Sequence, residues 1–145
     1  MRIAPVLLLL SLAACDRSPT APAKDLFISA SVSPATVSAG QTVSVQITVV
    51  NRGSTSQVVN LYAPGTCGLG YEVFTMDGTD TNLGRNEPCP LMLVAPPVVE
   101  AGATYTFTQQ WSTKDRPLSA GSYIVRSSVE GPGVENVPAG IRIAP

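Results

Sequence analysis

The sequence contains no histidine and only three cysteines, and charged residues make up just 13% of it. Without histidine, the commonest general base at neutral pH and the commonest metal ligand are both missing. Paired acids are not visible either, since Glu72 and Asp115 read as the scattered carboxylates that ordinarily face solvent. No charge of one sign dominates: nine basic against ten acidic residues give a net charge of −1. A basic face is therefore not implied, and nucleic acid, whose binding depends on neutralising phosphates, is not an expected partner. Helical apolar periodicity of useful length is also lacking, while 13 prolines and 12 glycines cut the chain into short pieces. These absences argue against an enzyme and against a helical fold, and no cofactor or metal is expected.

The one long apolar run, Ile3 to Leu12, follows Met1-Arg2 and leads through Ala13-Ala14 into Cys15, the three-part layout of an export signal. It is too short to span a bilayer as a helix, which takes roughly 20 apolar residues. Leu12-Ala13-Ala14-Cys15 resembles the bacterial lipobox, in which the cysteine is diacylated and becomes the first residue after cleavage. An ordinary secretory signal with an incidental cysteine is the alternative. Two acyl chains hold a protein at a membrane where one does not, so Cys15 is expected to anchor the protein to a bacterial membrane on an extracytoplasmic face. Asp16 bears on the choice between inner and outer membrane, but the rule differs between lineages and the choice stays open. Asp16 to Lys24 carries no large apolar side chain and two prolines, so it reads as a tether. The expected organisation is a signal peptide over 1–14, a lipidated cysteine and tether over 15–24, and one domain over 25–145.

With Cys15 assigned to lipid, Cys67 and Cys89 remain as a pair in an oxidising compartment, and a disulfide is the simplest reading. Closing a loop of about 20 residues would stabilise the fold by roughly 3 kcal/mol. A metal site or a redox pair would be the alternatives, although zinc needs more nitrogen or sulfur ligands and the spacing is far from Cys-x-x-Cys.

From Thr42 to Val49 apolar and polar residues alternate strictly, predicting a half-buried strand with Val43, Val45, Ile47 and Val49 on its core face. Asn51-Arg52-Gly53-Ser54 is expected to turn the chain, and Gln57 to Tyr62 to return it. Tyr71 to Met76 is a further strand, with Asp77-Gly78 as a turn signal behind it. Thr104 to Trp111 alternates again, with Tyr105, Phe107, Gln109 and Trp111 on the core face. Tyr123, Val125, Ser127 and Val129 line the next strand, and Val137 to Ile143 closes the domain. A small echo, Val37-Ser-Ala-Gly-Gln-Thr-Val-Ser-Val against Val99-Glu-Ala-Gly-Ala-Thr-Tyr-Thr-Phe, suggests one glycine turn launching two amphipathic strands. Seven to eight short strands split by turns imply an all-β, immunoglobulin-like antiparallel β-sandwich.

From Val43 to about Glu130 the order of features resembles the BsuPI family, named after a Bacillus intracellular proteinase inhibitor with an immunoglobulin-like fold. The matching residues are the strand ending at Asn51, Tyr71-Glu72-Val73 with Asp77-Gly78, and Val99-Glu100-Ala101-Gly102 running into Tyr105-Thr106-Phe107 and Trp111. Pro117-Leu118-Ser119-Ala120-Gly121-Ser122-Tyr123 completes the match. The resemblance implies the sandwich and, as a second function, proteinase inhibition. Trp111 is explained as a core aromatic, and Gly121 with Tyr123 as a turn and a corner tyrosine bonded to backbone.

Asp77-Gly-Thr-Asp80-Thr-Asn82 clusters oxygen ligands, but it misses the calcium-loop register and reads better as a solvated hairpin turn. Lys114-Asp115-Arg116 reads as a polar loop. The segment 65–97 exceeds what the scaffold needs, and long loops in compact domains often carry function. Its polar stretch makes Arg85, Asn86 and Glu87 the candidate partner-binding residues, whereas Leu91, Leu93 and Val94 fit either a binding surface or another strand. The expected function is that of a non-catalytic, membrane-anchored envelope lipoprotein, a scaffold or a module binding a protein or glycan, with a protease as the partner under the inhibitor alternative.

Overall fold

The computed structural model describes residues 25–59, 70–83, 96–129 and 133–145, and all of their regular structure is strand. In chain order the strands are β1 Leu26–Ser33, β2 Thr36–Val37, β3 Thr42–Asn51, β4 Gln57–Val58 and β5 Tyr71–Thr75. They continue as β6 Val98–Val99, β7 Thr104–Ser112, β8 Gly121–Ser127, β9 Val134–Val137 and β10 Ala139–Ile143. One four-stranded sheet runs β7-β3-β1-β9, a second runs β2-β10-β8-β5, and β4 and β6 form a two-stranded ribbon.

The alternation in β3 does what its period requires: Val43, Val45, Ile47 and Val49 are all fully buried, because alternate side chains of a strand share a face. Burying each such side chain contributes about 1.5–3 kcal/mol. From the second sheet, Tyr71, Val73, Val125 and Ile141 meet them in a single core cluster, with Trp111 of β7 inside it. Tyr105 and Phe107 lie on the predicted core face of β7, yet they are only partly buried against that cluster. The reason is that β7 is the outermost strand of its sheet.

The structure corrects the strand expectations in three places. β1 was not among the predicted strands, although it pairs with β3 over eight residues and buries Leu26 and Ile28. The expected closing strand Val137 to Ile143 is two strands that part at Pro138, and its first half begins at Val134. The sandwich is also not purely antiparallel, since β1 pairs with β9 and β2 with β10 in parallel. Both parallel pairs follow from proline breaks. Pro34 divides β1 from β2 and Pro138 divides β9 from β10, and each break lets the chain cross from one sheet to the other. A proline lacks the N–H that would continue a ladder. Of the expected strand Gln57 to Tyr62, only β4 lies among the described residues.

The repeated Val-x-Ala-Gly scheme is one turn used twice. Gln41 N–H donates to Ser38 O at 3.3 Å and Ala103 N–H to Glu100 O at 3.0 Å. Gly40 and Gly102 hold the same place in the two turns with φ of 85° and 73°, a region closed to most L-residues. Each turn delivers the chain to a long strand, β3 or β7, and those two pair along nine residues.

Candidate functional site

Behind β5 the chain turns tightly and runs back beside it. Gly78 N–H donates to Thr75 O at 3.0 Å, Thr75 N–H to Thr79 O at 2.9 Å, and Thr81 N–H to Val73 O at 3.1 Å. The Asp77 carboxylate closes this turn, accepting hydrogen bonds from the Thr75 hydroxyl and from the Thr79 N–H. These bonds, that from Thr75 first, hold its carboxyl below the ordinary carboxylate value, because donors to the charged form favour it. Asp80 accepts from Asn82 N–H at 2.8 Å. Both carboxylates of the cluster weighed for calcium thus serve the local backbone, which is the turn reading.

The returning arm ends at Thr81, Asn82 and Leu83, and these face Arg116, Pro117 and Leu118 across an open cleft of about 280 Å³. The arm is fixed by the Thr81 hydroxyl, which donates to Val73 O at 2.7 Å. The opposite wall is fixed by Trp111, whose indole N–H donates to Arg116 O at 3.1 Å. It is held a second time by Tyr123, whose hydroxyl donates to Ser119 O at 2.8 Å, the corner-tyrosine bond predicted above. Three polar residues, Thr81, Asn82 and Arg116, and three apolar ones, Leu83, Pro117 and Leu118, therefore line the recess. Such a surface suits binding an extended polar ligand with an apolar side.

Near Arg116 sits Tyr71, 1% exposed, with a hydroxyl that has no hydrogen-bond partner among the described residues. Burial pushes its pKa from the ordinary 10.0 to about 12, opposed by the positive charge of Arg116. On the outer face of the same strand, Glu72 is paired with Arg126 directly across from it on β8. The guanidinium reaches one carboxylate oxygen from two nitrogens, at 3.2 and 3.3 Å, and stacks 4.3 Å above the Phe74 ring.

The expected partner-binding residues Arg85, Asn86 and Glu87, the cysteines Cys67 and Cys89, and the lipidation residue Cys15 all lie outside the described residues. The structure instead brings forward Arg116, Asn82, Leu83 and Leu118. In sequence Arg116 had been a loop residue and Asn82 part of a turn. The available signal was Gly78 and Gly84 around the first segment and Pro117 with Gly121 in the second, which says that a loop exists and not which loop it will face.

No protein-family model matches the sequence, and none of the curated proteins does. Among solved structures, the chain is similar to the alkylpurine DNA glycosylase AlkC of Pseudomonas fluorescens, determined bound to DNA with an abasic-site analogue. The identity is 16%, the TM-score 0.55, and the match covers 83% of this chain and 31% of that one. It is also similar to the CARDB domain of the PF1109 protein of Pyrococcus furiosus, in complex with di-metal ions, at 12% identity and TM-score 0.48, covering 83% and 88%. A third similarity is to the sporulation control protein Spo0M of Bacillus subtilis, at 10% identity and TM-score 0.48, covering 83% of this chain and 50% of that one. The chain thus spans about a third of AlkC and half of Spo0M. At such identities the likeness shows the fold alone. That fold is an all-β, immunoglobulin-like sandwich.

Proposed function

We propose that this protein is a non-catalytic, lipid-anchored module of a bacterial cell envelope, which binds a protein or glycan partner at the end of its sandwich remote from the membrane. The observation that carries this reading is the direction of the chain. Asp25, whose carbonyl accepts from Arg52 N–H at 2.7 Å, lies beside the Leu26–Asn51 end of the sheet. The Arg116–Leu118 wall follows the other end of that sheet, where Thr42 meets Ser112. The ten residues of β3 separate the two ends, about 30 Å at strand rise. A domain hung from Cys15 by the tether 15–24 would hold the Arg116 wall away from the lipid.

Labelling of the native chain with a tagged fatty acid is expected, and Cys15→Ser is expected to abolish it. Cross-linking in intact cells should recover an envelope partner, with Arg116→Glu reducing the yield at unchanged melting temperature. Absence of label from the unsubstituted protein would sink the anchor, and a partner yield indifferent to Arg116→Glu would sink the binding surface.

Membership of the BsuPI family, with proteinase inhibition, is the second reading we propose from the resemblance. Two of its most specific residues, Trp111 and Tyr123, bond backbone carbonyls of the 112–120 loop, which is scaffold duty, so inhibition ranks behind partner binding. Its test is a panel of serine and cysteine proteases with micromolar protein, where full residual activity throughout removes the reading.

A further inference from the structure

Among the described strands, the first and the last two run the same way. β1 pairs in parallel with β9, from Leu26 beside Val134 to Ser29 beside Val137, and β2 pairs in parallel with the end of β10. The start of β1 and the end of β10 consequently lie at opposite ends of the sandwich. Leu26 stands at the end marked by Asn51. Ile143 stands at the other, paired with Gly121, which begins β8 directly after the loop that carries Arg116.

Tension between these two ends runs along β1. The hydrogen bonds of an antiparallel ladder lie across its strands, so this pull strains all eight β1–β3 positions together, with four β1–β9 positions beside them. A pull across the strands would open the same ladder one pair at a time. Sliding is opposed by the core as well, because Leu26 and Ile28 are buried and a slip of one residue would turn both to the outer face.

The Leu26 end of β1 is also fastened by Arg52, the residue after β3. Its N–H donates to Asp25 O at 2.7 Å, next to the Leu26 N–H bond to Gly133 O at 3.1 Å. Its guanidinium lies 4.1 Å over the Phe27 ring and 3.8 Å from the Glu135 carboxylate of β9. One side chain thus crosses from β3 over β1 to β9, at the point where β1 would begin to slide. Arg52 and Glu135 are 53% and 46% exposed, and exposed ion pairs add little to equilibrium stability.

We propose that β1 is a mechanical clamp that resists tension between the Asp25 end and the Gly121–Ile143 end of the sandwich, with Arg52 as its latch. The source of that tension in the cell rests on the function proposed above, since an anchor ahead of Asp25 and a partner at the Arg116 wall would pull on these two ends. The clamp itself belongs to the described strands and is tested without either.

The test is single-molecule pulling on the full chain in detergent. One handle is ligated ahead of Asp25 and the other after Pro145. In the comparison, the second handle is instead an azide-bearing residue at Ser54, which is exposed in the turn after β3. Forced unfolding follows the unfolding rate, not the equilibrium stability. Pulling from end to end is expected to need several times the force of the Asp25–Ser54 pull, which peels β1 from β3 pair by pair. Arg52→Ala is expected to lower the end-to-end force while the melting temperature barely changes. An end-to-end force no greater than the peeling force overturns the proposal, as does an Arg52→Ala chain that keeps the full end-to-end force. Loss of the anchor reading, seen as absent fatty-acid label, would leave both forces unchanged, so the two can fail separately.

Discussion

Two side chains make predictions that depend on single atoms. The buried Tyr71 hydroxyl has no partner among the described residues, and burying a hydroxyl in that way costs about 1–3 kcal/mol by mutational measures. Tyr71→Phe is therefore expected to raise stability by about 1 kcal/mol in denaturant unfolding. The same burial lifts its pKa from 10.0 to about 12, so the folded state favours the neutral phenol. That contribution is complete below pH 10 and is lost as pH rises through about 12, and ultraviolet titration should show an ionisation near 12 that Tyr71→Phe removes. Asp77 behaves in the opposite sense. Its lowered pKa means that the turn it closes is favoured above the ordinary carboxylate pKa and weakens as pH falls through the folded value. In Asp77→Asn the Thr79 amide should be less protected from exchange at neutral pH, and its protection, after correction for the intrinsic pH dependence of exchange, should no longer fall with acid.

At the scale of elements, Asn51 shows how one residue ends a strand and organises what surrounds it. It is fully buried, and its Nδ2 donates to Thr55 O and to Val99 O at 2.8 Å each. Its Oδ1 accepts from Gly53 N–H at 2.9 Å, while its backbone bonds Ala103 O and is bonded by Gly102 N–H. A Cβ at residue 53 would lie 3.2 Å from that Oδ1 and 3.3 Å from Asp25 Cβ, so a side chain there would require Asn51 or Asp25 to give way by a few tenths of an ångström. Each buried polar group left unpaired costs about 1–3 kcal/mol, and Asn51→Ala strands three of them. A loss of about 3 kcal/mol is expected, with the β4–β6 ribbon losing exchange protection before β3 does. The sequence placed Asn51 in a turn, which is right about the bend at Arg52 and Gly53. It could not show that the side chain reaches Val99, because 48 residues of chain separate them.

For the molecule as a whole, the proposed Cys67–Cys89 disulfide makes its own prediction. Reduction should add two hydrogens by mass and lower stability by about 3 kcal/mol, and two free thiols in protein from the periplasmic fraction would remove the bridge from the account. The positions of β3, β5, β7 and β8, the alternating core of β3, the twin glycine turns and the corner tyrosine were legible in sequence, because each depends on neighbours within a few residues. Period-two burial needs only a face to be covered, and a positive φ needs only a glycine in the right place. β1 carries the same alternation, in Leu26, Ile28, Ala30 and Val32, but its small residues and flanking serines make the signal faint. The cleft was not legible, since it forms where the arm behind β5 meets the loop behind β7, and sequence carries no record of which loops face each other. The parallel pairs were hidden for a related reason: prolines announce where a strand stops, and only the packing of two sheets decides to which one the chain crosses. Local periodicity alone thus determined a two-faced β chain with a core of valines, while the sheet order and the cleft were decided by contacts between residues far apart in the chain.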